Sequence, residues 1–427
     1  MRRVFGAAVL VISAVGLVCG GEVSHRNYKL YDVAPTSKDQ LSLLQGVQDD
    51  LELDFWSAPN LRKSTAVMAS PTADDSFRKF LVQHNITHQL SSENVQQIID
   101  REQHGQREHL RSKRATAEKW SFSFDHFWTL EEVYAYLDHL ERTYPDLVRT
   151  KSYGQSTEGR PLRVITISKN SVVNSFRPVV LIDGGIHARE WGSPMAVLYL
   201  IHQLVENSAE NEQLLEKTDW VIMPVANPDG YVYSHERDRL WRKNRARVNT
   251  LCQGVDLNRN FPFQWKYTSG ECTNGYAGST PGSEPETRAL MLLMATYARA
   301  TKLYLAVHTC GDYILYPYGY DYVQAPNADE LQSLGDLAAD AVKTAGGPDY
   351  SVGGASFLLY PANGSDDFIY GSFGIKYAYT LELSCGTDGD GFVLSVPEMQ
   401  NVTRDAFEMF KVFGKFAGEQ RVKPRRP

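Results

Sequence analysis

Short, uninterrupted runs of apolar residues recur after about residue 114, and they predict buried strands. The runs cover residues 164–167, 179–182, 221–225, 303–307 and 377–383. Strands that are buried on both faces have this pattern because helices cover both sides of a largely parallel sheet. The pattern therefore predicts an α/β fold, with a mixed, largely parallel sheet covered by helices on both faces.

A helix with a clear start precedes the first of these runs. Thr129 and Glu132 have the spacing of a capping box, in which each side chain bonds a free backbone N–H of the first turn. Apolar residues then recur at helical spacing from Leu130 to Leu140. In sheets covered in this way, ligands bind beyond the carboxyl ends of the strands. Polar residues that directly follow the apolar runs are therefore the first candidates for a functional site.

The N-terminal region (residues 21–114) differs in composition from the α/β region (residues 115–420). It contains no cysteine and is rich in charged and amide residues. Residues 91–100 predict a capped helix with a short apolar stripe, which runs into the basic cluster at residues 111–114. Such a cluster is accessible to a processing protease, and this favours cleavage near Arg114. A solvated run of charges is the alternative.

The first twenty residues have the features of a secretory signal peptide. Arg2 and Arg3 precede an apolar run at residues 4–18, and small residues follow it at 19–21. The apolar run is shorter than the ~20 residues that span a bilayer. Residues 1–20 therefore predict a secreted, extracellular protein with no stable membrane insertion, and a membrane anchor is the alternative.

Composition and charge narrow the class of partner. A chain of 427 residues with 42% hydrophobic content suits two globular domains. The net charge of −7 offers no broad cationic surface, so no nucleic-acid partner is expected. The basic tail at residues 421–427 is expected to be disordered.

Four cysteines remain once the signal peptide is removed. An even number in a secreted chain favours disulfides over free thiols. The number alone allows three pairings among Cys252, Cys272, Cys310 and Cys385.

Three potential zinc ligands follow two of the apolar runs. His187 and Glu190 come after the run 179–182, and His308 comes directly after the run 303–307. A catalytic zinc site needs three protein ligands and one open position, and both imidazole and carboxylate can serve. Amide hydrolysis also needs a carboxylate that moves a proton from water to the leaving amine. Glu382 lies inside an apolar run and is the candidate, with a buried structural ion pair as the alternative.

Several further segments accompany these residues, in an order that resembles the pancreatic A/B-type zinc carboxypeptidases over roughly residues 120–418. The segments are 187–190, 227–230, 240–243, 254–260, His308 with 315–320, and 374–377 with Glu382. The resemblance implies a zinc-dependent exopeptidase that removes single residues from peptide or protein C-termini, with Zn²⁺ as its cofactor. It also implies that the N-terminal region is a small α+β activation domain, cut off near Arg114 by another protease, and we expect a monomer.

The resemblance also implies a role for each residue of the site. Residues that hold a free carboxylate would explain exopeptidase action, because an internal peptide bond has no carboxylate to offer. An arginine fork suits that group better than a lysine does. By position, His187, Glu190 and His308 are zinc ligands; Glu382 is the general base; Arg242 stabilises the oxyanion; Asn258 and Arg259 grip the terminal carboxylate, with Arg189 as a secondary contact; and Tyr360 closes over the substrate.

The resemblance leaves open whether the enzyme prefers a basic or an apolar residue at the C-terminus of its substrate. Asp366 stands where B-type enzymes have an aspartate and A-type enzymes an apolar residue, which favours substrates ending in lysine or arginine. However, the segment is one residue shorter before Ser365 and one longer before Gly374 than the usual B-type pattern, and Gly319 is A-like. An A-type preference for apolar or aromatic residues is therefore the alternative.

Two departures from the family pattern involve cysteine. The family has a disulfide at the positions of Cys252 and Cys272, while Cys310 and Cys385 together replace two usual residues. In this fold Cys310 and Cys385 end neighbouring strands ~4.8 Å apart, so we predict a second bridge, with two buried thiols as the alternative.

A catalytically inactive, zinc-binding relative is a further alternative, although Glu382, Arg242, Asn258 and Arg259 are all present.

Overall fold

The computed structural model describes residues 22–57, 59–61, 63–116, 123, 125–169, 177–268, 270–385 and 391–422. The predicted signal peptide at residues 1–20 lies outside the described residues. So do residues 423–427 of the predicted basic tail.

The N-terminal region forms a small α+β unit. Its elements are β1 (Lys29–Ala34), α1 (Lys38–Asp50), β2 (Asp54–Phe55), β3 (Thr65–Ala69), α2 (Asp74–Gln83), β4 (Thr87–Ser92) and α3 (Val95–Thr116). Within the described residues these strands make a four-stranded antiparallel sheet in the order β2-β3-β1-β4. Tyr31 and Val67 pack with α1 and α2, whereas Leu30 and Met68, one position along each strand, pack against the α/β region. The alternation of a strand thus provides one face for the region's own core and one for docking.

The helix predicted at residues 91–100 starts later and extends further than expected. Ser91 and Ser92 belong to β4, where Ser92 pairs with Leu30, so α3 begins at Val95. The helical backbone then continues through residues 111–114 to Thr116. The prediction placed the start too early because serines suit a helix cap as well as the end of a strand. The basic cluster is therefore part of the helix.

The α/β region alternates strands and helices. Its elements are α4 (Leu130–Thr143), β5 (Val148–Gln155), β6 (Pro161–Ile167), β7 (Val179–Gly184), α5 (Gly192–Val205), α6 (Glu212–Glu216), β8 (Asp219–Met223), α7 (Pro228–Glu236), a 3₁₀ helix (Leu257–Arg259), α8 (Pro285–Tyr297), β9 (Thr301–Thr309), β10 (Tyr313–Tyr316), α9 (Ala328–Thr344), β11 (Ser351–Gly354), α10 (Ala355–Leu358), α11 (Ser365–Phe373), β12 (Ala378–Leu383) and α12 (Val396–Glu419).

The strands of this region form one sheet. In the described part of the chain it has eight strands, in the order β11-β10-β12-β9-β7-β8-β6-β5. The central pairs β12–β9, β9–β7 and β7–β8 are parallel, whereas β10–β12, β8–β6 and β6–β5 are antiparallel. The predicted α/β fold with a mixed sheet is confirmed, and each predicted apolar run overlaps a strand.

Helices cover both faces of this sheet. One core includes Trp220, Leu305 and Phe410, and the other includes Leu181, Leu293 and Tyr304. Leu305 and Tyr304 are neighbours on β9 that face opposite cores, which is why the run 303–307 has no polar position. The predicted capping box at the start of α4 also forms, with Thr129 Oγ1 accepting from the Glu132 backbone N–H at 3.3 Å.

Candidate metal centre and active-site cleft

Two parallel neighbours in the sheet bring three potential metal ligands together. β7 ends at Gly184, and Gly185 follows at φ +62°, a conformation that suits glycine. The resulting turn carries His187 and Glu190, and His308 lies near the end of the adjacent β9. All three side chains are buried, and a ligand atom of each lies within 4.8 Å of the other two.

The donor atoms of this cluster suit a metal ion such as zinc. The Nδ1 atoms of His187 and His308 lie 3.1 Å apart, and Glu190 Oε1 and Oε2 lie 2.8 Å and 3.1 Å from them, respectively. Each Nδ1 lies within hydrogen-bond distance of a Glu190 oxygen, so both rings and the carboxylate face one shared space. Burial opposes the charged form of Glu190, but the two histidines lower the pKa of that carboxyl overall. Two imidazole nitrogens and a carboxylate match a three-ligand zinc site.

Asp256 supports this cluster from behind, and no role was predicted for it. Its Oδ1 lies 3.1 Å from His187 Nε2, and its Oδ2 accepts from Arg242 Nη2 at 2.9 Å. Although burial opposes ionisation, Arg242 and His187 hold the pKa of Asp256 well below its usual range. A carboxylate behind a ligating histidine fixes the ring's tautomer and direction. The sequence signal was an acidic residue between Val255 and Leu257 within one of the family-like segments.

Glu382 lies beside the cluster, on the wall of the same cleft. It pairs in register with His308 of β9 on one side and with Tyr313 of β10 on the other. Loss of surrounding water raises the pKa of Glu382 to about 7; Glu190 adds to this effect, while His308 and Arg242 oppose it. Among the described residues Glu382 forms no ion pair, which disfavours the structural alternative.

Asn258 and Arg259 lie together on the 3₁₀ helix and face the cleft. Asn258 Oδ1 accepts from the Ser365 backbone N–H at 2.9 Å, which fixes the orientation of the amide group. Arg259 Nη1 donates to two backbone carbonyls, those of Asn258 and Asn363, each at 3.2 Å. A Cβ atom at Gly364 would lie 2.9 Å from Asp366 Oδ1 and 3.2 Å from Asn258 Oδ1, so a side chain at this position would crowd both groups. A planar guanidinium is therefore held at a fixed place in the cleft.

Asp366 and Asp367 open α11 but have different surroundings. Asp367 accepts the backbone N–H groups of Gly319 and Tyr320, each at 2.8 Å, and so holds that loop. Asp366 is buried and lines the cleft, together with Gly319 and Thr380. Burial raises the pKa of Asp366, against the effects of backbone donors and of the Thr380 hydroxyl. Asp366 is therefore the one of the two that faces the cleft.

The N-terminal region lies over the mouth of this cleft, which has a volume of about 840 Å³. Arg189 is buried, and its Nη1 donates to Asp54 Oδ2 of the N-terminal region at 2.6 Å. Its guanidinium also lies 4.3 Å from the centre of the Phe392 ring. Tyr360 lines the cleft with 39% of its surface exposed. In this structure Arg189 therefore contacts the N-terminal region, a contact that no sequence motif indicated.

Both predicted cysteine pairings are present. Cys252 is bonded to Cys272, and Cys310 to Cys385. The second bridge joins residues that follow the parallel neighbours β9 and β12, with a Cα–Cα distance of 4.6 Å. It therefore fastens the strand of His308 to the strand of Glu382.

Family models match both parts of the chain. A model described as zinc carboxypeptidase matches residues 133–409, and one described as carboxypeptidase activation peptide matches residues 31–102.

Similar curated proteins match over most of the chain. Carboxypeptidase B of Helicoverpa zea is 33% identical over 96% of this chain and 98% of its own length. Zinc carboxypeptidase A 1 of Anopheles gambiae is 35% identical over 92% of this chain and 90% of its own length.

Solved structures agree with the fold. Carboxypeptidase A from Helicoverpa armigera superposes with a TM-score of 0.84 at 33% identity, covering 92% of this chain and 98% of its own. Thrombin activatable fibrinolysis inhibitor superposes with a TM-score of 0.78 at 28% identity, covering 92% and 99%.

Proposed function

The chain belongs to the zinc carboxypeptidase family of A/B type, and on that premise we propose that it removes C-terminal lysine and arginine from peptides. It is a metallo-exopeptidase, a hydrolase that carries an activation peptide and is therefore activated by proteolysis. The position of Asp366 in the cleft carries the proposal on side-chain preference.

His187, Glu190 and His308 would hold the zinc ion. Zinc supplies Lewis-acid chemistry: it polarises a carbonyl and makes water a better nucleophile near neutral pH. Glu382 takes a proton from the attacking water and passes it to the leaving amine. A pKa raised to about 7 by burial suits that exchange, because a base is most effective when its pKa lies near the working pH.

Arg242 and Asp256 act together on the developing negative charge. Asp256 accepts from Arg242 Nη2 at 2.9 Å and from Arg242 Nε at 3.2 Å. These bonds hold the guanidinium in place before substrate arrives, so it need not reorganise during the reaction. A donor fixed toward the place where an oxyanion forms stabilises the transition state more than the ground state.

The terminal carboxylate of the substrate is held by Arg259 and Asn258, with Tyr360 closing over it. Arg189 becomes a secondary contact once Asp54 has left it. These residues line the same cleft as the proposed zinc ligands. A substrate held by its free carboxylate places the last peptide bond, and no internal bond, at the reacting groups. The clamp thus accounts for exopeptidase action.

Asp366 supports the B-type preference by its burial and charge. A buried carboxylate that lacks a cation partner among the described residues is costly, and a substrate lysine or arginine would supply that cation. The relatives' names leave the preference open, since both A-type and B-type enzymes match at similar identity.

Replacing Asp366 by alanine is expected to lower kcat/KM for arginine-terminated peptides by roughly 30-fold or more, with a far smaller effect on leucine-terminated ones. Removing one partner of a buried charge pair costs about 2–5 kcal/mol, and every 1.4 kcal/mol is tenfold. The measurement is hydrolysis of peptides that differ only in their last residue: lysine, arginine, leucine, phenylalanine or glutamate.

The matched control is Asp340→Ala, which removes an exposed aspartate from α9. Burial raises the pKa of Asp366, so the ratio of kcat/KM for arginine-terminated over leucine-terminated peptides should fall on acidification, as the Asp366 carboxylate takes up a proton. An unchanged preference in Asp366→Ala would place the determinant elsewhere and favour the A-type alternative.

We further propose that residues 21–114 inhibit the precursor until cleavage near Arg114. Two contacts across the boundary support this proposal. Asp54 forms an ion pair with Arg189 at the cleft mouth. Glu102 of α3 forms an ion pair with Arg239, and both of these side chains are almost fully buried. The first contact covers the cleft, and the second ties α3 to the α/β region.

The precursor should be poorly active and should gain activity after limited trypsin treatment. Asp54→Asn should raise precursor activity about tenfold, because a charge-assisted hydrogen bond contributes about 1.5–3 kcal/mol. Asp39→Asn, an exposed change on α1, should leave it unchanged. Initial rates before and after trypsin test this, and a precursor already as active as the trimmed form would contradict it.

Secretion is proposed from the predicted signal peptide. In the part of the chain that the structure describes, none of the helices combines the length and hydropathy of a membrane span. The mature enzyme is proposed to act as an extracellular monomer on peptide or protein C-termini.

A further inference from the structure

Asp312 is an acidic group beside the cleft that the proposed catalytic machinery does not use. It directly precedes Tyr313 of β10, which pairs in register with Glu382 and lines the cleft. Asp312 Oδ2 lies 2.9 Å from Lys63 Nζ of the N-terminal region. Its Oδ1 is buried and has no hydrogen-bond partner among the described residues. Among the described residues, the carboxylate therefore has its ion pair through Oδ2, with Lys63 as the cation.

Lys63 contacts Asp312 and Tyr313 at the same time. Besides its ion pair with Asp312, its Nζ lies 5.7 Å from the centre of the Tyr313 ring. An ammonium held between a carboxylate and an aromatic face is favoured by both. The neighbouring Asn60 Nδ2 donates to Tyr313 Oη at 2.7 Å. Asp312 and Tyr313 thus already hold a basic side chain in the precursor.

The N-terminal region runs along the cleft toward Asp312 and Tyr313. Asp54 accepts a hydrogen bond from Arg189, and the carbonyl oxygen of Trp56 lies 3.8 Å from Cys310 Sγ. Further along the N-terminal region, Lys63 donates to Asp312. A chain that lies along the cleft mouth marks a path open to a substrate once the N-terminal region has left. Cleavage and release would then leave Asp312 without its cation.

We propose that Asp312 and Tyr313 form a subsite of the mature enzyme for a lysine or arginine side chain on the N-terminal side of the scissile bond. The inference rests on the proposed peptidase function of the same cleft. It adds a second selectivity, separate from that of Asp366. The enzyme would recognise the last residue of the substrate and also a basic residue on the N-terminal side of the scissile bond.

A peptide panel on the trypsin-activated enzyme tests this proposal. Each peptide ends in the same residue and carries one lysine, at the second, third, fourth or fifth position from the C-terminus; a matched set carries norleucine there. We expect lysine at one of these positions to raise kcat/KM about threefold to fivefold, the range of a partly exposed ion pair. The advantage should shrink in high salt.

Asp312→Asn should abolish that advantage and leave hydrolysis of the norleucine peptides unchanged. Asparagine is nearly isosteric and tolerates the φ of +56° at this position, so the fold should be retained. Asp340→Asn is the matched control and should keep the advantage. The inference is overturned if no lysine position is favoured, or if the advantage survives in Asp312→Asn. An activated enzyme that hydrolyses none of the peptides would overturn the proposed function, and the inference with it.

Discussion

Replacing Glu382 by glutamine is expected to lower kcat by ~10²–10⁴-fold, the usual contribution of general acid–base catalysis. Glutamine keeps the size of the side chain but cannot take a proton from water. Because Glu382 does not belong to the proposed ligand cluster, zinc content should stay at the wild-type level. KM should change little, since the proposed carboxylate clamp is untouched. Steady-state kinetics with zinc analysis of the same sample measures both quantities.

The control for this variant is Glu330→Gln on α9, which removes an exposed carboxylate paired with Lys376 and should leave kcat unchanged. A Glu382→Gln enzyme that keeps more than about a tenth of the wild-type rate would show that another group moves the proton, because acid–base catalysis contributes at least ~10²-fold. The inactive zinc-binding alternative predicts no turnover in the parent enzyme.

The placement of the site residues could be predicted from the sequence because the sheet positions them. His187 and His308 follow apolar runs that became the parallel neighbours β7 and β9, and Glu382 lies on β12 in register with His308. Parallel strands end at one edge of a sheet, so polar residues directly after such runs converge. The pairing of Cys310 with Cys385 also needed the family resemblance, which implied that Cys252 pairs with Cys272 and that the strands before Cys310 and Cys385 are neighbours.

Contacts between distant segments were beyond such reasoning. The pair Asp54–Arg189 joins residues 135 positions apart, in regions that meet only through docked surfaces. No periodicity encodes which residue of β2 faces the cleft. The start of α3 was misjudged for a related reason: pairing of Ser92 with Leu30 overrides a local tendency to cap a helix.

Asp256 shows another limit of prediction from the sequence, because its role in the site depends on two partners from different loops. His187 and Arg242 reach it from separate segments, and only their convergence distinguishes it from a residue that caps the short 3₁₀ helix. Asp256 also does cap that helix, by accepting from the Asn258 backbone N–H at 3.0 Å. A single carboxylate thus supports a proposed ligand, the proposed oxyanion-stabilising Arg242 and the proposed carboxylate clamp.

Loss of one histidine from the ligand cluster is expected to abolish activity. His308→Ala leaves two donors in place of three, and mutation of even a residue that supports a metal ligand typically costs about 10–100-fold in metal affinity. We therefore expect purified His308→Ala to lose zinc on dialysis and to fall more than ~100-fold in kcat/KM. A chelator should likewise abolish wild-type activity, and added zinc should restore it.

The fold of His308→Ala should survive, because the helices and strands around β9 pack through two apolar cores that do not involve the ligands. Circular dichroism should therefore match the wild type, although the melting temperature should no longer rise when zinc is added, since only a folded site that binds the ion is stabilised by it. His202→Ala on α5, which removes a histidine paired with Glu206 away from the cleft, should retain zinc, activity and the zinc-dependent rise. Full activity in zinc-free His308→Ala would contradict the assignment of this cluster as the metal centre.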